Sequence, residues 1–163
     1  MPLCQNARIL GAYAQTELGH GSDVSSLETT ATFDKASDEF VIHTPTMTAI
    51  KWWPGDVGIH CTHTIVFANL IIDGNKYGVM PFLCQIRDCD TFMPCTGIKL
   101  GDMGPKLGYN SKNNGWLSFD NVRIPREQML MKYVSVDREG NFQIEGDTRV
   151  LYSVMMDIRV QLI

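Results

Sequence analysis

The feature that most limits what this chain can become is a two-residue alternation of side-chain character. Leu27-Glu28-Thr29-Thr30-Ala31-Thr32-Phe33-Asp34 alternates cleanly, and its threonines favour the extended backbone. Lys35 to Asp38 reads as a turn and Glu39-Phe40-Val41-Ile42-His43 as the return strand, so the two segments form a hairpin. The same reading predicts strands over 9–16, 46–53, 64–72, 77–86, 116–119 and 122–124. Pro54-Gly55 stops the 46–53 strand, and Asp73-Gly74-Asn75 supplies a hairpin turn. Residues 97–108 hold four glycines and a proline and read mostly as loop. Pro125-Arg126-Glu127 opens a further turn. At 148–163 the spacing becomes helical, with Val150, Leu151, Val154, Met155, Ile158 and Leu162 on one face and Asp147 or Thr148 as the cap.

The fold expected is therefore mainly β, a small antiparallel β-barrel or sandwich with a C-terminal helix stub. Residues 1–147 form the β-domain. Residues 148–163 read as the first helix of a following domain. At 163 residues with 44% hydrophobic and 20% charged side chains, the chain can bury one core. Fourteen Lys and Arg against eighteen Asp and Glu give a net charge of −4, which argues against a nucleic-acid partner. No apolar run reaches the ~18–20 residues of a membrane span.

The N-terminal residues lack the charged and apolar regions of a signal peptide. Five irregularly spaced cysteines then read as reduced thiols. His60-Cys61-x-His63 and Cys84-x4-Cys89-x5-Cys95 lack the paired spacing of a structural zinc site. The C-terminal Val160-Gln161-Leu162-Ile163 matches no peroxisomal address.

Two segments carry most of the chemical signal. Gln15-Thr16-Glu17-Leu18-Gly19-His20-Gly21-Ser22-Asp23 follows a strand and places two glycines among polar side chains. It reads either as a plain inter-strand loop or as a rim where a flat polar ligand meets backbone amides. It lacks the third glycine and the βαβ context of a dinucleotide fingerprint. Lys51-Trp52-Trp53-Pro54-Gly55 sets two adjacent indoles on opposite faces of a strand, so one can enter the core while the other lines a surface. The Pro-Gly pair frees the Gly55 N–H to point away from the ladder. The loop Gly101-x-x-Gly104-Pro105-Lys106-x-Gly108 is a long turn basic enough to attract a phosphate. Ser22 lies in no Gly-x-Ser-x-Gly motif and has no evident base, so a nucleophilic triad is unsupported.

Taken together, the motifs resemble the central β-domain of the acyl-CoA oxidases, flavoenzymes of peroxisomal β-oxidation. The resemblance rests on Tyr13-Ala14-Gln15-Thr16-Glu17-Leu18-Gly19-His20-Gly21, Leu27 to Thr32, Ile50-Lys51-Trp52-Trp53-Pro54-Gly55, Gly104-Pro105-Lys106-x-Gly108-Tyr109, Asn121-x-Arg123-Ile124-Pro125-Arg126-Glu127 and Met129 to Tyr133, in that order. The acyl-CoA dehydrogenases are similar too, but they have a proline where Leu18 stands and Trp-Ile-Thr where this chain has Trp53-Pro54-Gly55.

The resemblance implies an FAD enzyme of three domains, helical, β and helical. It would desaturate acyl-CoA to trans-2-enoyl-CoA and pass the electrons to O2, giving H2O2. The parent would be a peroxisomal homodimer. Thr16 would contact the isoalloxazine through its hydroxyl, with Gln15 beside it. Gly55 would meet the flavin through its backbone amide, and Trp53 would pack on the ring. Ser22 aligns with a serine near the acyl-CoA thioester. Glu17 does not match the family's catalytic base, a glutamate of the C-terminal domain, so a chain limited to the β-domain is expected to be inactive. The other readings are a dehydrogenase-type enzyme and a non-catalytic β-module that binds protein.

Overall fold

Burial follows the alternation strand by strand. In β2 (Thr30–Asp34) and β3 (Glu39–His43), Ala31, Phe33, Phe40 and Ile42 are buried while their neighbours are not. The two strands pair antiparallel from Thr30 opposite His43 to Asp34 opposite Glu39. These observations come from a computed structural model that describes residues 9–146 together with Gln5 and Ser153. The helix expected over 148–163 lies outside the described residues apart from Ser153.

The remaining strands are β1 (Gly11–Ala14), β4 (Lys51–Gly55), β5 (His63–Ile72), β6 (Asn75–Gln85), β7 (Ile98–Asp102), β8 (Asn114–Phe119), β9 (Val122–Pro125), β10 (Val134–Val136) and β11 (Phe142–Ile144). A six-stranded sheet runs β1-β5-β2-β3-β9, with β6 on the other edge of β5, and a three-stranded sheet runs β4-β8-β7. Most pairings are antiparallel, but β1 and β2 both run parallel to β5, along its first and second halves. The large sheet curls into a half-barrel around Phe40, Ile42, Val66, Leu70, Phe82, Leu117 and Phe119. Phe40 meets Phe33 and Phe82 at ring separations of 5.1 and 5.0 Å, within aromatic-pair range.

Four expectations are corrected. Residues 46–50 are turn rather than strand. Ala49 and Ile50 donate their N–H groups to Thr46 and Met47, and the Thr46 and Thr48 hydroxyls donate to Glu28. The strand begins at Lys51 and runs through Pro54-Gly55, with a bulge between Trp52 and Gly55. Residues 98–102, read as loop, form β7, whose Gly101 lies opposite Trp116. Neither adjacent indole enters the core. Lys51 takes the inward position, Trp52 is half-buried, and Trp53, at φ 79° in the bulge, is 50% exposed. The hairpin β10–β11, unrecognised in the sequence, is anchored by the buried Val134 and Val136.

Three glycines meet where the turn after β4 packs on the β7–β8 pair. A Cβ on Gly115 would come within 2.4 Å of the Gly58 nitrogen and 2.8 Å of the Gly101 oxygen, all backbone atoms that cannot swing aside. Gly115→Ala is expected to lower stability by about 1–3 kcal/mol, read as a fall in the denaturant midpoint with an unchanged m-value.

Candidate functional site

The loop after β1 does not leave the structure. It runs back along the free edge of β4 as an extra strand segment. Glu17 bridges Lys51, Trp52 donates its N–H to the Thr16 carbonyl (2.9 Å), and Leu18 donates to the Ile50 carbonyl (2.9 Å). This fixes Glu17 opposite Lys51 and Thr16 opposite Trp52. Residues directly opposite share a face of the sheet.

The inner row is an ion pair in the core. Both side chains have no solvent exposure, and Lys51 Nζ lies 2.9 Å from Glu17 Oε1. Lys51 also donates to the Phe67 carbonyl at 2.6 Å and the Gln15 carbonyl at 3.2 Å, using its three protons. Glu17 accepts further from the Thr29 N–H and hydroxyl at one oxygen and from the Glu28 N–H at the other. Burial pulls the Lys51 ammonium down to about 8, opposed by the Glu17 carboxylate beside it, so the ammonium stays charged at neutral pH. With both Glu17 oxygens and all three Lys51 protons engaged inside the fold, Glu17 is a structural carboxylate. No such role was legible from the residues alone. The signal available was a Glu and a Lys of opposite charge inside the two motifs that flank the site.

The outer row carries Thr16 and Trp52, both partly exposed. Gln15 is 2% exposed, and its amide oxygen accepts the Tyr13 hydroxyl at 3.0 Å. Gly55 is in register with Asn114. Its φ is not positive, and a Cβ there would meet only the flexible end of Lys112, whose Cε lies at 3.0 Å. The fold itself therefore places no firm demand for glycine at 55. Beyond it, Trp53, Met103, Pro105, Lys106, Leu107, Tyr109, Lys112 and Asn114 line an open groove of about 570 Å³. Leu107 and Tyr109 stand almost wholly in solvent. Lys112 pairs with Asp56 (2.6 Å), and Lys106 Nζ donates to the Lys112 carbonyl. The Gly-Pro-Lys loop and the Trp-Trp-Pro-Gly strand, separate in the sequence, thus meet at one groove.

The segment that follows Gly55 is held by a buried cation. Arg87 is 4% exposed and donates to the carbonyls of Val57, Gly58 and Cys61 at 2.8–2.9 Å. Ser22 is exposed, beyond the Glu17–Lys51 bridge. There Glu28 accepts from the Thr46 and Thr48 hydroxyls, and one of its oxygens lies 2.7 Å from His20 Nε2. Those hydrogen bonds, Thr46 first, then His20 and Thr48, hold the Glu28 carboxyl down to about 2. Among the described residues no three His, Cys, Asp or Glu side chains converge on a metal site. No helix among them is long and apolar enough to cross a membrane.

The family model for the acyl-CoA dehydrogenase middle domain matches residues 12–122. The chain belongs to that family. A probable acyl-coenzyme A oxidase of Caenorhabditis elegans is 50% identical over 156 residues, covering 96% of this chain and 24% of that protein. The peroxisomal acyl-coenzyme A oxidase 1 of Arabidopsis thaliana is 49% identical over 168 residues, covering 100% of this chain and 25% of its own length. Among solved structures, an acyl-CoA oxidase-2 of C. elegans bound with FAD, ascaroside-CoA and ATP superposes at TM-score 0.93 with 46% identity, over 99% of this chain and 24% of that one. Acyl-CoA oxidase 1 of A. thaliana superposes at 0.91 with 50% identity, over 97% and 25%. The chain thus spans about a quarter of the length of these relatives.

Two outcomes test the electrostatics. Lys51→Met strands the Glu17 carboxylate and is expected to cost about 3–5 kcal/mol, while adding Glu17→Gln recovers part of that loss; both are read by denaturation. Glu28 is held below its unfolded value of 4.5. Its contribution is complete above about pH 4.5 and is lost as pH falls toward 2. Glu28→Gln should flatten the stability profile across that window.

Proposed function

We propose that this chain is the flavin-facing domain of an acyl-CoA oxidase. The parent desaturates acyl-CoA to trans-2-enoyl-CoA and passes the electrons to O2 to give H2O2. The observation that carries the reading is Gly55. Its backbone conformation is open to any residue, and among the described residues an added Cβ would meet only the movable end of Lys112. A glycine with so little internal cause suits the close approach of something flat from outside. FAD supplies the two-electron chemistry when bound.

The residues of this chain bind and orient. The Thr16 hydroxyl offers a positioned dipole to the polar edge of the ring system, where charge grows on reduction, without bringing a full charge. Gly55 presents backbone to the ring. Trp53, turned out by the bulge, gives it an apolar wall. Gln15 is buried, so its part is to hold the Thr16 segment through Tyr13 and Lys51. Ser22 stands on the same loop in position to meet the substrate's acyl-CoA arm.

The proton-abstracting base belongs to a helical domain outside residues 1–147, and the β-domain alone does not turn over substrate. A large cofactor needs most of its surface buried, so tight FAD binding requires the neighbouring domains. The parent is a homodimer, and its place is the peroxisome, a location supported by the word peroxisomal in the names of several relatives.

The test is made in the full-length parent. Thr16→Val is expected to weaken FAD retention by about 2- to 10-fold, the worth of one hydrogen bond. Gly55→Ala should leave the denaturation midpoint near wild type while lowering FAD occupancy. Wild-type protein given acyl-CoA should release H2O2 in air. Retention and turnover unchanged in both variants would remove the site assignment, and a flavin that stays reduced in air would remove the oxidase reading.

A further inference from the structure

The register that sets Thr16 opposite Trp52 continues across the three-stranded sheet. Trp52 of β4 lies opposite Trp116 of β8, and Trp116 lies opposite Gly101 of β7. Thr16, Trp52, Trp116 and Gly101 thus form one transverse row on one face. The next row, Glu17, Lys51, Leu117 and Leu100, lies on the other face, and its first three members are fully or almost fully buried. The Thr16 row is therefore the outward one, and all four of its members are only partly covered.

Gly101 explains how the row is kept flat. Its φ is not positive, so no turn requires glycine there. A Cβ at Gly101 would instead come within 3.0 Å of Trp116 Nε1 and 3.1 Å of Cε2 and Cζ2. The missing side chain lets the Trp116 indole lie down across β7. Two strand spacings, about 10 Å, separate Thr16 from Trp116. Over that width the face presents a hydroxyl followed by two indoles, with no charged side chain between them.

We propose that Trp52 and Trp116 extend the cofactor platform that begins at Thr16, and that Trp116, laid flat by Gly101, is a contact residue for the aromatic ring systems of FAD. This rests on the reading of the chain as a flavin-facing domain. Continuity favours a planar heterocycle over a helix of a neighbouring domain. The row starts at the residue placed on the ring's polar edge, and a flat apolar face with one hydroxyl at its end complements a ring whose polar atoms lie at its rim.

The experiment uses the full-length FAD-loaded parent and reads flavin fluorescence and the FAD dissociation constant, with no turnover required. An indole in contact with a flavin quenches its emission. Trp116→Phe should raise flavin emission at least about 2-fold, and Trp116→Ala should raise the dissociation constant by about 2- to 10-fold, the worth of one aromatic contact. Gly101→Ala, which keeps the indole but lifts it, should shift emission in the same direction as Trp116→Phe. Thr16→Val separates the two claims. Weaker FAD in Thr16→Val with unchanged emission and affinity in all Trp116 and Gly101 variants overturns the platform and leaves the flavin-facing reading standing. No change in any variant, Thr16→Val included, overturns that reading as well. A Trp116→Ala variant that loses thermal stability in the FAD-free protein while emission stays fixed in Trp116→Phe assigns the indole to domain packing and also overturns the proposal.

Discussion

The buried pair of Glu17 and Lys51 is the interaction on which the geometry of the site depends. A charge in the core is costly unless it is paired and fully hydrogen-bonded. Here every acceptor and donor is matched by groups on four different segments: the loop after β1, the Thr29 segment before β2, β4, and Phe67 in β5. Alternative registers of the loop against β4 would leave one of these charges unpartnered in the interior. The pair therefore acts as a register pin. Once Glu17 faces inward opposite Lys51, Thr16 must face outward opposite Trp52.

From that pin the rest of the site follows by strand geometry. The bulge after Trp52 breaks the alternation, turning Trp53 out and carrying the chain through Pro54 to Gly55. Arg87 then holds the following segment by three backbone carbonyls, so Gly55 sits between two constrained stretches rather than in a mobile loop. Lys112 and the Gly-Pro-Lys loop close the far side of the groove. The proposed chemistry sits on loop and strand-end residues, while their placement comes from polar contacts in the core behind them.

The sequence revealed what local alternation controls. The strand Glu39–His43 and the Asp73-Gly74 turn were legible because side-chain period and turn chemistry settle them within a few residues. Residues 46–50 were not, because their polar side chains are claimed by Glu28, distant in sequence. The strand at Ile98–Asp102 was hidden by Gly101, which reads as a breaker yet is required by the Trp116 ring across the ladder. A core place was expected for one of the two tryptophans because a lysine was not expected to take the inward position; only the matching Glu17 makes that position tenable. The proposed site residues Thr16, Trp53 and Gly55 were singled out as a set by the family resemblance, whereas Trp116 and Arg87 appear only when the strands are placed side by side.

The most direct test of this account is an experimental structure of the full-length parent with FAD bound. The account predicts the isoalloxazine against the outward row, with a polar ring atom within about 3.2 Å of Thr16 Oγ1 and the ring in van der Waals contact with Gly55. A flavin bound on another face of the domain, with the Thr16–Trp52 row covered only by protein side chains, would contradict it.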